Sequence, residues 1–458
     1  MIDALNEDAP RAPGRARASA QAPGLPPAPA HEGPAVPAPP VAEAVPAPPA
    51  HEAPASGPAA VPRDTLRAAL TLYLDLHAHP ELSGAEARTA EAFGAHLRGD
   101  GATVTHGVGG HGVVGVLRNG PGPTLMLRAE LDALPLTERT GLAYESTVPG
   151  TMHACGHDLH LASAAGAFTL LARSAASWSG TLLVVGQPAE ETLEGAEAML
   201  ADGLYERFGT PDTVLAQHTA PLPAGTLAHG RGPIMAASAA LDVVIHGYGG
   251  HAGTPQLTVD PVVTAAATVM RLQTVVSRET APSDQVVLTV GSLHAGSRGN
   301  VVPDDAELSI TVRAATDQAL ERAVAAATRI VRAECAASGC PRDPDLTVVS
   351  RSPALRPDPA VTAAVRAAHE REFGPQRVTD WPGSMATEDF PRFAVEGVRT
   401  AYWMVGTVSP RQWRAARSAG RPVPPNHSAE FAPDVRTALP AGVAAMATAA
   451  RQLFKETR

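Results

Sequence analysis

The chain has 458 residues, of which 44% are hydrophobic, and it carries a formal charge of -10 at pH 7. This length predicts two domains, and the negative charge argues against nucleic acid or an anionic membrane surface as a partner. Three cysteines are too few for a disulfide scaffold, and the sequence shows neither an export signal nor a membrane span. We therefore expect a cytoplasmic protein that acts on a small molecule.

Residues 1–62 are rich in Ala and Pro and contain few large apolar side chains. Such a segment cannot bury a hydrophobic core, so we predict a disordered or polyproline-like tail. A tether or solubility arm is the simplest role for this tail, and docking to a partner is the alternative.

Apolar residues at helical spacing between residues 62 and 102 predict two helices, and Ser83–Glu86 ("SGAE") has the pattern of a capping box that opens the second helix. Four short apolar runs follow, "GVVGVLR", "TLMLRAE", "TLLVVGQ" and "TVLAQH", with a helical stretch between the second run and the third. We interpret these runs as strands. Their alternation with helical sequence predicts an α/β fold with a mostly parallel sheet.

The pattern changes between residues 236 and 351 to strand, helix, two strands, helix and strand. This βαββαβ order predicts a ferredoxin-like unit. The first pattern returns afterwards, with "TAYWMVGT" as a buried strand. We therefore predict that residues 63–235 and 352–458 form one domain, into which a smaller domain at residues 236–351 is inserted.

The stretch "HACGHD" concentrates side chains that bind metals. Cys155 and His157 are two residues apart, which directs both to one side of an extended or turning segment, and thiolate with imidazole is a pair typical of zinc or a similar ion. Two ligands do not complete a site. Because open α/β sheets bind ligands at the carboxyl ends of their strands, the remaining ligands are expected there. The candidates that follow predicted strands are Glu190, Glu191, His218 and His427.

Glu190 and Glu191 are adjacent, and neighbours on an irregular segment point in different directions. One carboxylate can therefore bind a metal while the other faces the reacting centre. A hydrolytic site needs this division between a ligand and a base that takes a proton from water. Each feature is weak alone: a Glu-Glu pair is usually a solvated surface, a single histidine is usually a satisfied polar residue, and Cys-x-His also occurs by chance or in structural zinc sites.

Six motifs resemble those of a known family: "MHACGHD", "QPAEE", "GGHAGTP", "GNVVPD", "TEDF" and "NHSAEF". In this order and spacing they resemble the dinuclear metallopeptidases related to aminoacylase and carboxypeptidase G. Within these the chain is most similar to the branch of hippurate hydrolases, N-acyl-amino-acid deacylases and auxin-conjugate amidohydrolases. The resemblance covers residues 64–455. It implies a zinc-peptidase-like catalytic domain with an inserted lid domain and two divalent metal ions per subunit. The Cys, His and carboxylate donors suit zinc, manganese or cobalt. The exposed strand edge of a ferredoxin-like lid domain predicts that two lids pair in a homodimer.

The resemblance also implies roles for single residues. Five residues would bind metal: Cys155, His157, Glu191, His218 and His427. Glu190 would be the general acid/base, and Asp132 in "LRAELDALP" corresponds to a family aspartate near the site. His251 would polarise the scissile carbonyl, often in the active site of the partner subunit, and Asn300 would contact substrate. An ordinary turn histidine is the alternative for His251.

Two departures from the family pattern affect the surroundings of the site. Glu130 stands where this branch usually has aspartate, and "MATEDF" replaces Gly-Ser-Glu-Asp-Phe while keeping Glu388 and Asp389. His77 matches a family motif, but its place on the first helix favours a structural role. The basic loop at residues 408–425 either shapes the pocket or is a solvated flap.

Together these features predict a metal-dependent amidohydrolase that cleaves the amide bond of an N-acyl amino acid or a similar small conjugate. A catalytically silent binding or scaffold protein of the same fold is the alternative, and the retained Glu190 argues against it. A third hypothesis is a cysteine hydrolase that uses Cys155 with His157, but "HACGHD" lacks the elbow that presents such a nucleophile. Chelation separates the first hypothesis from the third, because a cysteine enzyme survives removal of metal.

Overall fold

The structure, a computed structural model, describes residues 61–456. The predicted tail, apart from its last two residues, lies outside the described residues. The helices are α1 (Arg63–Ala78), α2 (Ala87–Gly99), α3 (His157–Arg173), α4 (Gly195–Ala201), α5 (Leu204–Phe208), α6 (Pro261–Arg278), α7 (Asp317–Ala337), α8 (Pro359–Phe373), α9 (Pro410–Ser418) and α10 (Val435–Glu456). Of these described helices, none has both the length and the apolar composition that crossing a membrane requires.

The strands form two larger sheets and one short pair. They are β1 (Thr103–Val108), β2 (Gly112–Asn119), β3 (Thr124–Glu130), β4 (Gly180–Gln187), β5 (Thr213–Pro223), β6 (Leu227–Gly230), β7 (Ala237–His246), β8 (Gly250–His251), β9 (Val286–Ala295), β10 (Val301–Val302), β11 (Asp305–Ala314), β12 (Asp345–Ser352), β13 (Val378–Trp381) and β14 (Arg399–Val408).

The larger sheet has eight strands in the order β1-β2-β4-β3-β5-β14-β6-β13, and its four central strands, β4-β3-β5-β14, are parallel. Strand β4 ("GTLLVVGQ") is apolar along its length because helices cover both faces of the sheet. Leu182 and Val184 pack into a core with α2, α3, α8 and α10, whereas Leu183 and Val185 pack on the opposite face with α4 and α5. The predicted α/β fold with a mostly parallel sheet is confirmed.

The parallel centre of this sheet fixes where the loops meet. Because β3, β4, β5 and β14 run in one direction, their carboxyl ends lie at one edge of the sheet. The loops after β3 and β4, the end of β5 and the segment after β14 therefore lie at this edge. Open α/β sheets bind ligands at such an edge.

The second sheet has four antiparallel strands in the order β12-β7-β11-β9. Leu241 of β7 and Ile310 of β11 share a separate core with Leu272 of α6 and Ile330 of α7. Along the chain these elements follow the order β7-α6-β9-β11-α7-β12, which is the βαββαβ order predicted from the sequence. The short pair β8 and β10 is an addition to it. The division into a catalytic domain and an inserted lid domain stays a prediction.

The capping box predicted at Ser83–Glu86 is wrong. Helix α2 begins directly after Glu86 and has no side-chain cap at its N-cap residue. Glu81 instead accepts two N–H groups of the first turn of α2, at 3.2 and 2.7 Å. Ser83 and Glu86 are used elsewhere, because both bind groups far along the chain.

The basic segment at residues 408–425 differs from the predicted loop, because it begins with helix α9. Ser409 and Gln412 form a capping box there, and Pro410 occupies the first helical position. The sequence Ser-Pro-Arg-Gln contains both signals for a helix start, the capping box and the proline. The exposed arginines of this segment are Arg411, Arg414, Arg417 and Arg421.

Candidate metal centre

Cys155 and His157 flank the sharp turn that opens α3. The turn residue Gly156 has φ +85°, and a Cβ at this position would lie 2.7 Å from the side chain of Thr219, so only glycine fits. His157 is the first residue of α3. Both flanking side chains are buried and face His218 on β5.

Five side chains bring their donor atoms together. Sγ of Cys155 lies 3.4 Å from Nε2 of His218 and 3.3 Å from Nε2 of His427. Oε1 of Glu191 lies 3.5 Å from Nε2 of His427 and 3.9 Å from Nε2 of His157. Ligands held about 2.0–2.3 Å from a tetrahedral ion lie about 3.3–3.7 Å from one another, so most of these separations fit shared metal ions.

Hydrogen bonds behind the cluster orient its histidines. Nδ1 of His157 donates to the backbone oxygen of Asp132 at 2.8 Å, and Nδ1 of His218 donates to that of Thr219 at 2.8 Å. Each ring therefore directs Nε2 at the cluster, and this nitrogen would offer its lone pair to a metal ion when the ring is neutral. Within the described residues, Nε2 of His157 and Oε1 of Glu191 are buried and form no hydrogen bond. Divalent ions would provide a partner for these atoms, and the mixed thiolate, imidazole and carboxylate set fits a dinuclear metal site.

Cys155 lies in surroundings that favour the thiolate. Burial raises the pKa of its thiol, but His218 and His157 outweigh this effect and hold the pKa well below the usual value. The contacts of His427 with Cys155 and Glu191 raise the pKa of that imidazole to about 10. These contacts favour the negatively charged sulfur, which is the form of cysteine that binds metal.

Asn426 and Thr219 tie the loop of His427 to the turn of Cys155. Nδ2 of Asn426 lies 3.1 Å from the backbone oxygen of Cys155, and Oγ1 of Thr219 donates to the same oxygen at 2.7 Å. His427 has φ +65°, and its N–H donates to the backbone oxygen of Ala154 at 2.8 Å. A left-handed backbone at a non-glycine residue persists only where its surroundings hold it. Sequence reasoning missed Asn426, whose only signal is its position directly before a predicted ligand.

Glu190 is 5% exposed and lies close to His157 and to further carboxylates. Its Oε2 lies 3.7 Å from Nε2 of His157. Its carboxylate also lies close to the carboxylates of Glu388 and Asp389. Burial, followed by the charges of Glu388 and Glu191, raises the pKa of Glu190 well above its usual value. A carboxyl group in these surroundings can accept and hold a proton.

Arg128 supplies the positive charge that these carboxylates need, and sequence reasoning missed it. Its side chain is fully buried on β3 and binds Glu388 (2.7 Å), Asp389 (3.0 Å) and Gln187 (2.7 Å), as well as Glu130. A charged residue inside the apolar run "TLMLRAE" was the available signal, because a buried strand tolerates arginine only when its charge is paired.

Asp132 lies directly behind the cluster. Its Oδ1 lies 3.2 Å from Nδ1 of His157, and its Oδ2 accepts the N–H of Glu191 at 2.9 Å. Ser83 donates to the same Oδ2 at 2.7 Å. Asp132 therefore contacts the ring of one ligand candidate and the backbone of another.

His251 and Asn300 lie apart from this cluster. His251 is exposed on β8, where it pairs with Val301 of β10, and the backbone oxygen of Asn300 accepts the N–H of Ala252 at 3.2 Å. Among residues 61–456, no hydrogen bond or ion pair joins either side chain to the ligand candidates. Their predicted contacts with substrate remain predictions.

A family model described as peptidase family M20/M25/M40 matches residues 126–421. Thermostable carboxypeptidase 1 of Saccharolobus solfataricus is 32% identical over 364 residues, which cover 78% of this chain and 88% of that protein. An N-acetylcysteine deacetylase of Bacillus subtilis is 34% identical over 347 residues, which cover 74% of this chain and 88% of that protein.

The fold is also similar to solved structures. One is a Bacillus subtilis protein described as a dinuclear metal-binding peptidase of the M20 family. Its TM-score is 0.69 at 27% sequence identity, and the match covers 86% of this chain and 99% of that one.

Proposed function

This chain belongs to peptidase family M20/M25/M40, and from that premise we propose that it hydrolyses the amide bond of N-acyl amino acids or related small conjugates. The relatives named above include a deacetylase and a carboxypeptidase, and both of these activities break an amide bond. The observation that carries the proposal is the adjacent pair Glu190 and Glu191, because only one of the two has an oxygen within 3.5 Å of His427.

We assign Glu191 to the metal site, together with Cys155, His157, His218 and His427. Two divalent ions held by this set would lower the pKa of water and polarise the carbonyl of the amide. The donor types suit zinc, manganese or cobalt. Asp132 supports the set by contacting the ring of His157 and the N–H of Glu191.

Glu190 is the general acid/base of the proposed reaction. Its buried carboxylate accepts the proton of the attacking water and then gives that proton to the departing amine. Arg128 holds Glu388 and Asp389 in place beside Glu190, so that this group of carboxylates stays ordered. Asp132 and the turn at Cys155 keep the ligand side chains fixed during both proton transfers.

A substrate screen with controlled metal content tests the proposal. The purified chain is stripped with a chelator, reloaded with zinc, manganese or cobalt, and incubated with a panel of N-acyl amino acids, while release of the free amino acid is measured. We expect turnover in at least one reloaded form and none in the stripped form. Activity that persists in the stripped form would favour the cysteine hydrolase, and no turnover with any metal would favour the silent homologue.

A homodimer formed through the four-stranded sheet and its helices completes the proposal. Strand β9 lies at the edge of that sheet and exposes Val287 and Leu293, and α6 exposes Val263 and Met270. Edge strands and apolar patches of this kind pair readily with a second copy. His251 and Asn300 would then act in the site of the partner. Light scattering should show a dimer, and a fully active monomer would remove this role of His251.

The cysteines support a proposal for the cellular location. All three are free thiols, which suits a reducing compartment, so we propose that the enzyme is cytoplasmic. Fractionation of expressing cells tests this assignment, and recovery of the protein outside the cytoplasm would contradict it.

A further inference from the structure

The loop that carries Glu190 and Glu191 has a strained backbone. Ala189 has φ +48° and Leu193 has φ +61°, so both are left-handed although neither is glycine. The backbone oxygen of Ala189 accepts two N–H groups of the following turn, at 3.2 and 3.1 Å. These bonds close the loop on itself, but they do not hold it against the rest of the domain.

Glu86 holds the loop from a position 103 residues earlier in the chain. Its side chain is fully buried, and its Oε1 accepts the N–H of Ala189 at 2.9 Å and that of Gly84 at 2.9 Å. Its Oε2 has no hydrogen-bond partner within the described residues. A buried carboxylate with an unpaired oxygen destabilises a fold, and α2 does not use Glu86 as a side-chain cap. The contact with Ala189 therefore has a use other than helix formation.

Ser83 supports the same loop from its other side. Its Oγ donates to Oδ2 of Asp132 at 2.7 Å, and that oxygen accepts the N–H of Glu191 at 2.9 Å. The segment Ser83–Glu86 thus reaches the backbone on both sides of Glu190: directly at Ala189 and through Asp132 at Glu191.

We propose that Glu86 is a positioning residue for this pair of carboxylates. By holding the N–H of Ala189, it keeps the strained turn in one conformation and so sets the directions in which Glu190 and Glu191 project. The kinetic consequence rests on the proposed hydrolytic function, because it concerns the placement of the general acid/base. The structural consequence, an ordered loop, does not depend on that function.

Three variants test the proposal. Glu86→Ala removes the acceptor, and Glu86→Gln keeps an oxygen that can accept from the same two N–H groups. The matched control is Glu81→Ala, which also removes a carboxylate that binds two backbone N–H groups, but these belong to α2 and not to the loop. Thermal unfolding of all three variants measures how much stability each change removes.

Kinetics should separate positioning from stability. We expect Glu86→Ala to lower kcat by at least about tenfold with KM changed by less than about threefold. The reason is that a misplaced base stabilises the transition state less but leaves substrate binding nearly unchanged. Glu86→Gln should keep kcat within about threefold of the parent, since among residues 61–456 Oε1 is the only side-chain oxygen of Glu86 that forms hydrogen bonds. Glu81→Ala should lose stability and keep the parental kcat.

Amide hydrogen exchange supplies a readout that does not need turnover. Exchange of residues 187–195 in the metal-free chain should be at least about tenfold faster in Glu86→Ala than in the parent, and unchanged in Glu81→Ala. Unchanged exchange of this segment in Glu86→Ala would overturn the proposal. So would a loss of kcat that is in the same proportion to the loss of stability in Glu86→Ala and in Glu81→Ala. If the parent hydrolyses no amide, the proposed function fails, while the exchange measurement still decides the role of Glu86.

Discussion

Acidification should destabilise the protein through two buried histidines, His229 on β6 and His369 on α8. Nε2 of His229 lies 3.1 Å from Nδ1 of His369, whose Nε2 lies 3.0 Å from the backbone oxygen of Ala445. This chain of contacts requires a neutral His369, because its Nε2–H donates to the carbonyl and its Nδ1 is left to accept from His229. Burial, followed by the charge of His369, lowers the pKa of His229 to about 2, and burial lowers that of His369 to about 4.

The sign of the effect follows from the unfolded chain, in which histidine titrates near about 6.5. Below that pH the unfolded state binds protons that the folded state does not, so stability falls as the pH decreases toward the folded pKa values. A pH of 5 is about 1.5 units below the unfolded pKa of each histidine. At about 1.4 kcal/mol per unit, the two histidines together lower the free energy of unfolding by about 4 kcal/mol. With an unfolding entropy of about 2.1 cal/mol/K per residue over residues 61–456, this corresponds to a decrease of about 5 °C in Tm.

Thermal unfolding of the metal-free protein between pH 7 and pH 5 measures this effect. The comparison is the double variant His229→Gln and His369→Gln, in which the amides keep hydrogen-bonding groups but do not titrate. Other titrating groups are common to both proteins, so the difference between the two pH profiles isolates the pair. We expect the variant to lose about 4 kcal/mol less than the parent. Parallel profiles would refute the neutral, hydrogen-bonded pair.

Two further predictions concern the site. Cys155→Ser should lower metal content and activity together, because a hydroxyl group is a poor substitute for a thiolate; full activity with parental metal content, by elemental analysis, would contradict the ligand assignment. Arg128→Met should lower the free energy of unfolding by about 3–5 kcal/mol, because it leaves buried carboxylates without a counter-charge. Denaturant titration measures this loss. Arg128→Lys is the control and should keep part of the stability. A loss below about 1 kcal/mol for Arg128→Met would show that the carboxylates do not depend on Arg128.

The order of strands and helices follows from the sequence because each element carries its own pattern. Apolar runs such as "TLLVVGQ" become central strands that are buried on both faces, and alternation in β11 leaves one face exposed. Local patterns failed where a distant partner competed for a side chain. The motif Ser-Gly-Ala-Glu has the spacing of a capping box, but Ser83 and Glu86 bind Asp132 and Ala189 instead.

The candidate ligands could be proposed from the sequence, whereas the residues that support them could not. Cys155 and His157 share one short motif, and the other candidates follow predicted strands, so spacing and resemblance together indicate them. The contact between Arg128 and Glu388 joins residues 260 positions apart, and no local pattern encodes such a separation. The contact between Glu86 and Ala189 could not be predicted for the same reason, because 103 residues separate them.

The division of roles between Glu190 and Glu191 is tested most directly by exchanging each for glutamine and measuring bound metal and kcat on the same samples. Glu190→Gln keeps the shape of the side chain but accepts no proton, so it should retain its metal and substrate binding while kcat falls by at least about 10²-fold. Glu191→Gln should instead lose metal, because removing a ligand lowers the affinity of the site for metal. The account is contradicted if Glu190→Gln empties the metal site, or if it turns over substrate like the parent.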